Sequence, residues 1–335
     1  MEKAAIVILN FNGRNMLQRF LPNILANSTF EIVVIDNASR DGSVNFLNEN
    51  YPGMAIVQLE NNFGYSQGYN LGLQRLKGKY EYYILLNSDV EATPEWDSRM
   101  VSFMDKMPKA AAAQPKMLSL IHKNEFDYAG AAGGYLDPLG YPYCRGRILH
   151  TIEKDYGQYD DPAEVDWASG ACLVVRAGVF HLLNGFNPEF FAHMEEIELC
   201  LRMRNRGYGI YVNPCVKVYH LGGGTLSQSS PFKTYLNFRN SLFMLYLNLR
   251  KSRFMAVLAL RLLFDFAAMI HISYSKGTGH GKAIIKAYLD FIKRAKSMNN
   301  KDIKSNCQLS TRPENNFSVI INYYLRGKKS FRDLS

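Results

Sequence analysis

The chain has 335 residues, 47% hydrophobic and 21% charged, which supplies one large core or two ordinary ones and excludes a disordered chain. Five cysteines, Cys144, Cys172, Cys200, Cys215 and Cys307, are odd in number and never form a CxxC pair, which argues against a disulfide framework or a zinc knuckle. The net charge of +9 is unevenly placed, because residues 1–230 carry 20 Lys and Arg against 25 Asp and Glu, whereas residues 231–335 carry 19 against 5.

The opening MEKAAIVILN reads as a strand, with no long apolar segment and no small-residue cleavage site, so no secretory signal is expected. Residues 6–9 are the first β-rich run, and Met16, Leu17, Phe20, Leu21, Ile24 and Leu25 then share one helical face. Residues 32–35 form a second apolar run that ends in Asp36-Asn37-Ala38-Ser39. A third run, 54–59, leads through Asn61-Asn62-Phe63-Gly64 into a helix predicted over 66–76. The fourth run, 82–86, passes directly into Asn87-Ser88-Asp89. This alternation predicts parallel βαβ units with helices on both faces of a sheet. Ligands of such sheets bind at the carboxyl ends of the strands, where these polar loops lie.

Residues 110–166 are irregular and rich in Gly, Tyr and Pro, which predicts a long loop region lying over a site. Regular structure is expected again at 171–175 (strand), 195–206 (helix) and 210–219 (strand, interrupted at Pro214). Beyond His220-Leu221 and the glycines 222–224, residues 235–296 read as two or three helices that mix apolar and aromatic side chains with Lys and Arg. The longest apolar stretch, 254–273, contains Arg261 and Asp265. A charge at the middle of a bilayer costs ~2.5 kcal/mol or more, so a spanning helix is not expected.

Several groups are suited to chemistry. Asp89 ends a buried run, where one carboxylate oxygen beside phosphate oxygens suits Mg²⁺ or Mn²⁺; the competing reading is a helix cap by Asp89 or Thr93. Glu195, Glu196 and Glu198 open a helix, where acids favour the dipole, yet one of them at a cleft edge is placed to act as a general base. His220 follows a strand and precedes glycines, which fits either packing or completion of a metal site. Asp36-Asn37 and Asn61-Asn62 suit turn caps or the edges of a nucleobase and ribose. No GxGxxG follows the first strand and no GxxxxGK[ST] occurs, so dinucleotide and P-loop readings lack a motif.

The ordered series VILNFNGR (7–14), IVVIDNASRDGS (32–43), ENNFGYSQGYNLGL (60–73), YILLNSDVEATPEW (83–96), DWASGACLVVR (166–176), GFNPEFFAHMEEIELCLRMRNRGY (185–208) and VKVYHLGGGT (216–225) resembles family 2 glycosyltransferases, in particular their rhamnosyltransferase-like bacterial branch. The resemblance covers about residues 4–245. It implies an α/β fold of GT-A type, a Rossmann-like mostly parallel sheet between helices, with a nucleotide-diphospho-sugar donor, Mg²⁺ or Mn²⁺, and inversion by direct displacement. Position by position it implies that Asn10, Asp36 and Asn37 hold the nucleoside, with Asn62, Gly64 and Asn70 beside the donor. Asp89 matches the last acid of a DxD-like motif and His220 a second metal or pyrophosphate contact, while Asn87 stands where the older motif has Asp. Trp167, Gly170 and Ala171 match an acceptor-side loop. Glu196 matches the usual base, one methylene longer than the usual Asp, with Glu195 in reserve.

The expected organisation is a catalytic domain over 1–230, with a nucleotide-sugar half at about 1–110 and an acceptor half at about 111–230, followed by a basic amphipathic helical region over 231–335. That basic region suits an anionic leaflet, so a membrane-borne substrate such as a lipid-linked oligosaccharide is expected, and with it the resemblance implies transfer to a glycan or lipid-linked acceptor in O-antigen-like envelope polysaccharide biosynthesis at the cytoplasmic membrane surface. A brace for the catalytic domain is the plain alternative, and no nucleic-acid module accompanies the charge. The competing function, motivated by Asn87 and Glu196, is a non-catalytic nucleotide-sugar-binding or membrane-associated scaffold subunit.

Overall fold

The computed structural model describes residues 1–222, 230–295, 297–298, 309–310 and 318–334; Gly223, Gly224, Thr225 and Cys307 lie outside these. The first apolar run becomes β1 (Glu2–Asn10), buried from Ala4 through Ile8, as a strand covered on both faces requires. It is followed by α1 (Arg14–Asn27), β2 (Glu31–Asp36), α2 (Ser43–Asn50), β3 (Ala55–Gln58), α3 (Gly64–Gln74), β4 (Tyr80–Leu86), β5 (Val90–Ala92), α4 (Trp96–Asp105) and β6 (Ala110–Ser119). Four short strands come next, β7 (Gly134–Leu136), β8 (Pro142–Cys144), β9 (Arg147–Ile148) and β10 (Thr151–Ile152), then β11 (Ala163–Glu164), β12 (Cys172–Arg176), α5 (Ala177–Leu182), α6 (Glu195–Asn205) and β13 (Gly209–His220). The C-terminal third folds into α7 (Pro231–Asn248), α8 (Lys251–Lys276), α9 (Thr278–Ala295) and the short α10 (Val319–Tyr324).

The main sheet runs β11-β13-β6-β12-β4-β1-β2-β3, with β5 added to β13. Strands β3, β2, β1 and β4 are mutually parallel. β12 is antiparallel to both β4 and β6, and β13 is parallel to β6. The two reversals cancel, so the carboxyl end of β13 reaches the same edge as the carboxyl ends of β1, β2 and β4. The residues entering β12 arrive there too, because Cys172 pairs with Leu86.

The expectation of an irregular region over 110–166 is corrected at both ends. Residues 110–119 are a buried central strand between β13 and β12. Its Ala-Ala-Ala-Ala-Gln-Pro-Lys sequence hides that role, since Ala, Pro and Lys are poor strand formers. Pro115 is accommodated where the register with β13 shifts between Asn213 and Lys217, and the buried Lys116 pairs with Asp155 (2.9 Å) and Asp160. Residues 134–152 form the small antiparallel sheet β10-β9-β8-β7, packed on the core by Tyr135, Tyr143 and Ile148.

Core residues lie on both faces of the main sheet, Val7 and Val33 on one and Ile6 and Ile8 on the other. α7 begins at Pro231, and its Leu242, Phe243 and Leu245 belong to the same core cluster as Val7 and Phe190. α8 is long and apolar enough, by length and composition, to cross a membrane. The two charges on which the contrary expectation rested, Arg261 and Asp265, are buried within the fold.

Candidate active site

Three groups of side chains meet at the strand-end edge. The first surrounds Asn10 and Asp36, which are register partners at the ends of β1 and β2. Asn10 Nδ2 donates to Asp36 Oδ1 and to Ser39 Oγ, both at 3.0 Å, and Ser39 N donates to Asp36 Oδ2 at 3.0 Å. Asn37 Nδ2 donates to Asn62 Oδ1 and to the Gly64 carbonyl, both at 3.0 Å, while Phe63 N donates to Asn37 Oδ1. Gly64 is required by its positive φ (+73°) and because a Cβ would lie about 2.5 Å from Phe191. Asn70 stands apart: its amide holds the Phe186 backbone, donating to the carbonyl at 2.7 Å and accepting from the N–H at 2.9 Å.

The second group is centred on His220. Its Nε2 lies 3.2 Å from Asp89 Oδ1 and its Nδ1 lies 3.0 Å from Asp127 Oδ1, with Asn87 Nδ2 3.5 Å from Nε2. Burial opposes a charge on this ring, but the hydrogen bonds to Asp127 and Asp89 outweigh it and push the imidazole up to about 10. Asp89 caps no helix, since Glu95 precedes α4. Asp127 lies in the segment expected to be irregular and no pattern in the sequence singles it out. Among the described residues no group of three or more His, Cys, Asp or Glu is arranged to cage a metal ion. The reason is visible here: Asp127 and Asp89 use different ring nitrogens, so only Asp89 and Nε2 can face one point.

The third group is the acid pair. Glu195 and Glu196 begin α6 after a loop in which Phe191 (φ 63°), His193 (φ 69°) and Met194 (φ 72°) all have left-handed backbone, a conformation that non-glycine residues adopt at a cost. α7 holds this loop: Asn240 Nδ2 donates to the carbonyls of Phe190 (2.9 Å), Ala192 (2.8 Å) and His193 (2.7 Å), and Arg239 donates to those of Glu189 and Phe190. The N-terminus of α3 docks on it too, with Tyr65 N and Ser66 N donating to the Phe191 carbonyl. Burial raises Glu196 to about 7. Burial, and then the charge of Glu196, raise Glu195 well above the usual carboxylate range. The loop side chain His193 is instead lowered to about 4, by burial and then by Lys233.

The acceptor-side residues join these groups. Asn87 N donates to the Ala171 carbonyl at 3.0 Å, and Tyr65 Oη donates to the Gly170 carbonyl at 2.7 Å. A Cβ on Gly170 would lie 2.8 Å from Tyr65 Oη and 3.7 Å from Glu196 Cβ, so the 170–171 turn connects the Asp89 end of β4 with the acid pair. Trp167 is buried behind this turn, its Nε1 donating to the Tyr135 carbonyl at 3.0 Å. Among the described residues six buried side-chain polar atoms lack a hydrogen-bond partner, and five belong to these loops: Asn10 Oδ1, Ser66 Oγ, His193 Nε2, Glu195 Oε2 and Glu196 Oε2. Unsatisfied buried groups are costly, and five of these six gather around this edge of the sheet. A cavity of about 700 Å³ adjoins it, between residues 188–191 and helices α7 and α9, walled by Phe191, Phe232, Tyr235, Arg239, Lys282 and Lys286.

Residues 5–159 match the family model described as Glycosyl transferase family 2. The N-acetylglucosaminyl-diphospho-decaprenol L-rhamnosyltransferase of Mycobacterium tuberculosis is 22% identical over 230 residues, covering 64% of this chain and 75% of the relative. The rhamnosyltransferase WbbL of Escherichia coli K12 is 24% identical over 225 residues, covering 64% and 82%. Among solved structures, GalNAc-T7 with UDP, GalNAc and Mn²⁺ superposes with a TM-score of 0.59 at 18% identity, covering 92% of this chain, which spans 58% of that protein. Residues 1–349 of TarS from S. aureus give 0.55 at 18%, covering 88% and 80%.

Proposed function

We propose that this chain, whose residues 5–159 match the family 2 glycosyltransferase model and whose fold is of GT-A type, moves a sugar, with inversion, from a nucleoside-diphosphate donor to a hydroxyl of a glycan or lipid-linked acceptor in cell-envelope polysaccharide assembly. The observation that carries this reading is the meeting, at one sheet edge, of the Asn10–Asp36 cluster, the Asp89–His220 pair and the Glu195–Glu196 pair, joined through Gly170 and Ala171.

In this reading Asp36, Asn37 and the unpartnered Asn10 Oδ1 take the nucleoside, with Asn62, Gly64 and Asn87 nearer the diphosphate and sugar. Asn70 supports them from behind by fixing Phe186. Asp89 and His220 are the residues suited to hold Mg²⁺ or Mn²⁺, a hard cation that completes its shell with phosphate oxygens and water. For His220 to join the cation its Nε2 would give up the proton it shares with Asp89, while Asp127 would keep the ring oriented through Nδ1, as carboxylates do behind metal-bound histidines. When bound, the cation neutralises charge gathering on the departing nucleoside diphosphate. Mn²⁺ accompanies UDP in the GalNAc-T7 structure and GDP-Man in that of the Pyrobaculum calidifontis mannosyltransferase.

Glu196 accepts the proton of the acceptor hydroxyl as its oxygen attacks the anomeric carbon and the bond from that carbon to the phosphate oxygen breaks. Its Oε2 is committed to no other hydrogen bond, and its raised pKa, about 7, makes it a stronger base than a solvated carboxylate. Glu195 beside it is raised further, by burial and then by the charge of Glu196. The rhamnosyltransferase relative is named for a lipid-diphosphate acceptor, and the cavity beside Phe191, which mixes Phe232 and Leu236 with the cations Arg239, Lys282 and Lys286, suits such an amphiphile arriving at the cytoplasmic membrane surface.

Thermal stabilisation by UDP, TDP and GDP with and without Mn²⁺ tests the donor half, since a ligand present at 100 times its Kd adds about 2.7 kcal/mol to the native state. A shift that requires Mn²⁺ and disappears in Asp89→Ala is expected. Equal, null transfer by wild type and Glu196→Gln across a donor and acceptor panel would overturn the catalytic reading in favour of a binding subunit.

A further inference from the structure

Helix α8 is built with its charges inward and its apolar side outward. Between Met255 and Ile270 every exposed position is apolar, among them Leu262, Leu263 (70% exposed), Phe266 (60%) and Ile270. The only charges in that stretch, Arg261 and Asp265, are each 2% exposed and pair at 3.1 Å. The pair is built into the catalytic body. Arg261 donates to Ser241 Oγ at 2.9 Å and lies 4.0 Å from the centroid of the Tyr141 ring, and Asp265 accepts from Tyr141 Oη at 2.8 Å and Tyr288 Oη at 2.7 Å. The outward face continues onto α9, where Ile285, Leu289 and Ile292 are exposed at i, i+4 and i+7, and onto Tyr324 and Leu325 at the end of α10. His271 of α8 and Tyr324 are in ring contact.

A contiguous exposed apolar face of this size is rare on a protein that meets only water. Its margins carry exposed Lys251, Lys276, Lys282, Lys293 and Lys329, within a segment holding 19 Lys and Arg against 5 Asp and Glu. We propose that α8, α9 and the end of α10 form a membrane-inserting face whose occupant is an anionic bilayer leaflet, with α8 lying in the interface plane, its apolar stripe among acyl chains and the lysines at the phosphate groups. The proposal rests on the transferase reading and adds the surface that brings the enzyme to its acceptor.

Three observations select this occupant. Spanning would require α8 to leave the domain, and the Arg261–Asp265 pair ties it there through α7, α9 and Tyr141. A second copy would bring one strongly basic rim against another, whereas an anionic leaflet complements it. On α9 the cavity-lining Lys282 and Lys286 sit beside the exposed Ile285 and Leu289, so insertion places the cavity mouth at headgroup level.

The test is flotation of the full chain with phosphatidylcholine vesicles with or without phosphatidylglycerol, together with nucleotide-induced thermal shifts in Mn²⁺. Wild type floats with the anionic vesicles and is released by alkaline carbonate. The triple variant Leu263→Gln, Phe266→Gln, Ile270→Gln loses at least about tenfold in vesicle affinity and keeps its melting temperature and nucleotide shifts, because the replaced side chains are exposed. The proposal is overturned if wild type fails to float, if the triple variant floats equally well, if carbonate leaves the protein in the membrane as a spanning helix would, or if the triple variant loses only self-association in sedimentation. Failure of flotation with intact nucleotide shifts defeats this inference alone, whereas absent nucleotide shifts with normal flotation defeat the transferase reading alone.

Discussion

Nδ1 of His220 lies 3.0 Å from the carboxylate of Asp127, at the ring nitrogen that does not face Asp89. Through this contact a residue 93 positions away along the chain fixes the orientation of the imidazole. Carboxylates behind a metal-bound histidine contribute about 10–100-fold to metal affinity. Asp127→Asn is therefore expected to raise the Mn²⁺ concentration needed for half-maximal nucleoside-diphosphate binding by about 10–100-fold, measured by calorimetry at fixed nucleotide. An unchanged Mn²⁺ requirement would remove Asp127 from the site.

Glu196 provides a pH signature. Its pKa is raised from 4.5 to about 7 by burial, so below about 7 the carboxyl holds the proton that a base must lack. The kcat/KM profile is expected to rise with pH and level off above about 7. Glu196→Gln should lose this limb along with about 10²–10⁴-fold of the rate. Stability runs the other way: between 4.5 and about 7 the folded state binds the proton more tightly than the unfolded chain, so this group's contribution is fully present below 4.5 and lost as pH rises through about 7. A profile that falls across the same window would reassign the base.

Asn240 satisfies three carbonyls of the left-handed loop ahead of the acids. Buried acceptors left without a donor cost about 1–3 kcal/mol, so Asn240→Ala should lower stability by that amount in urea titration. If its role is to position the acids, transfer falls further than the folded fraction does while nucleotide binding is retained. Loss of both in proportion to unfolding would mark a purely structural part.

The Arg261–Asp265 pair yields a comparison of single and double variants. Removing one member leaves a buried charge, at a cost of about 3–5 kcal/mol, so Arg261→Met and Asp265→Leu should each destabilise strongly. The double variant should cost less than the sum of the two, with Tyr141 and Tyr288 left as hydroxyls to be satisfied. Additive losses in denaturant titration would show that the two charges are held independently.

The strand-end clusters were legible because parallel β-strands advertise themselves twice, as unbroken apolar runs and as the Asx-rich turns that end them. Asn10 and Asp36 close two of the strands, Asn62 and Asp89 stand in the turns that follow two others, and all four lie at one edge of the sheet. Glu195, Glu196 and His220 were visible as acids opening a helix and a histidine closing a strand. β6 escaped because alanines, proline and an internal lysine carry no strand signature, and its role comes from neighbours on both sides. Asp127 and Asn240 escaped for a related reason: each acts through one long-range contact, and a single polar residue in a loop or a helix has no periodicity to read.

Apolar period, turn chemistry and the order of motifs were sufficient for the α/β class and for the polar edge of the sheet, since these are interactions between near neighbours along the chain. The cancelling reversals that carry His220 to that edge, the α7 clamp on the acid loop and the inward turn of Arg261 and Asp265 were settled only by folding. Each depends on which distant segment occupies the adjoining space, and a linear pattern of hydrophobic and charged residues specifies that a face is buried without specifying what it is buried against.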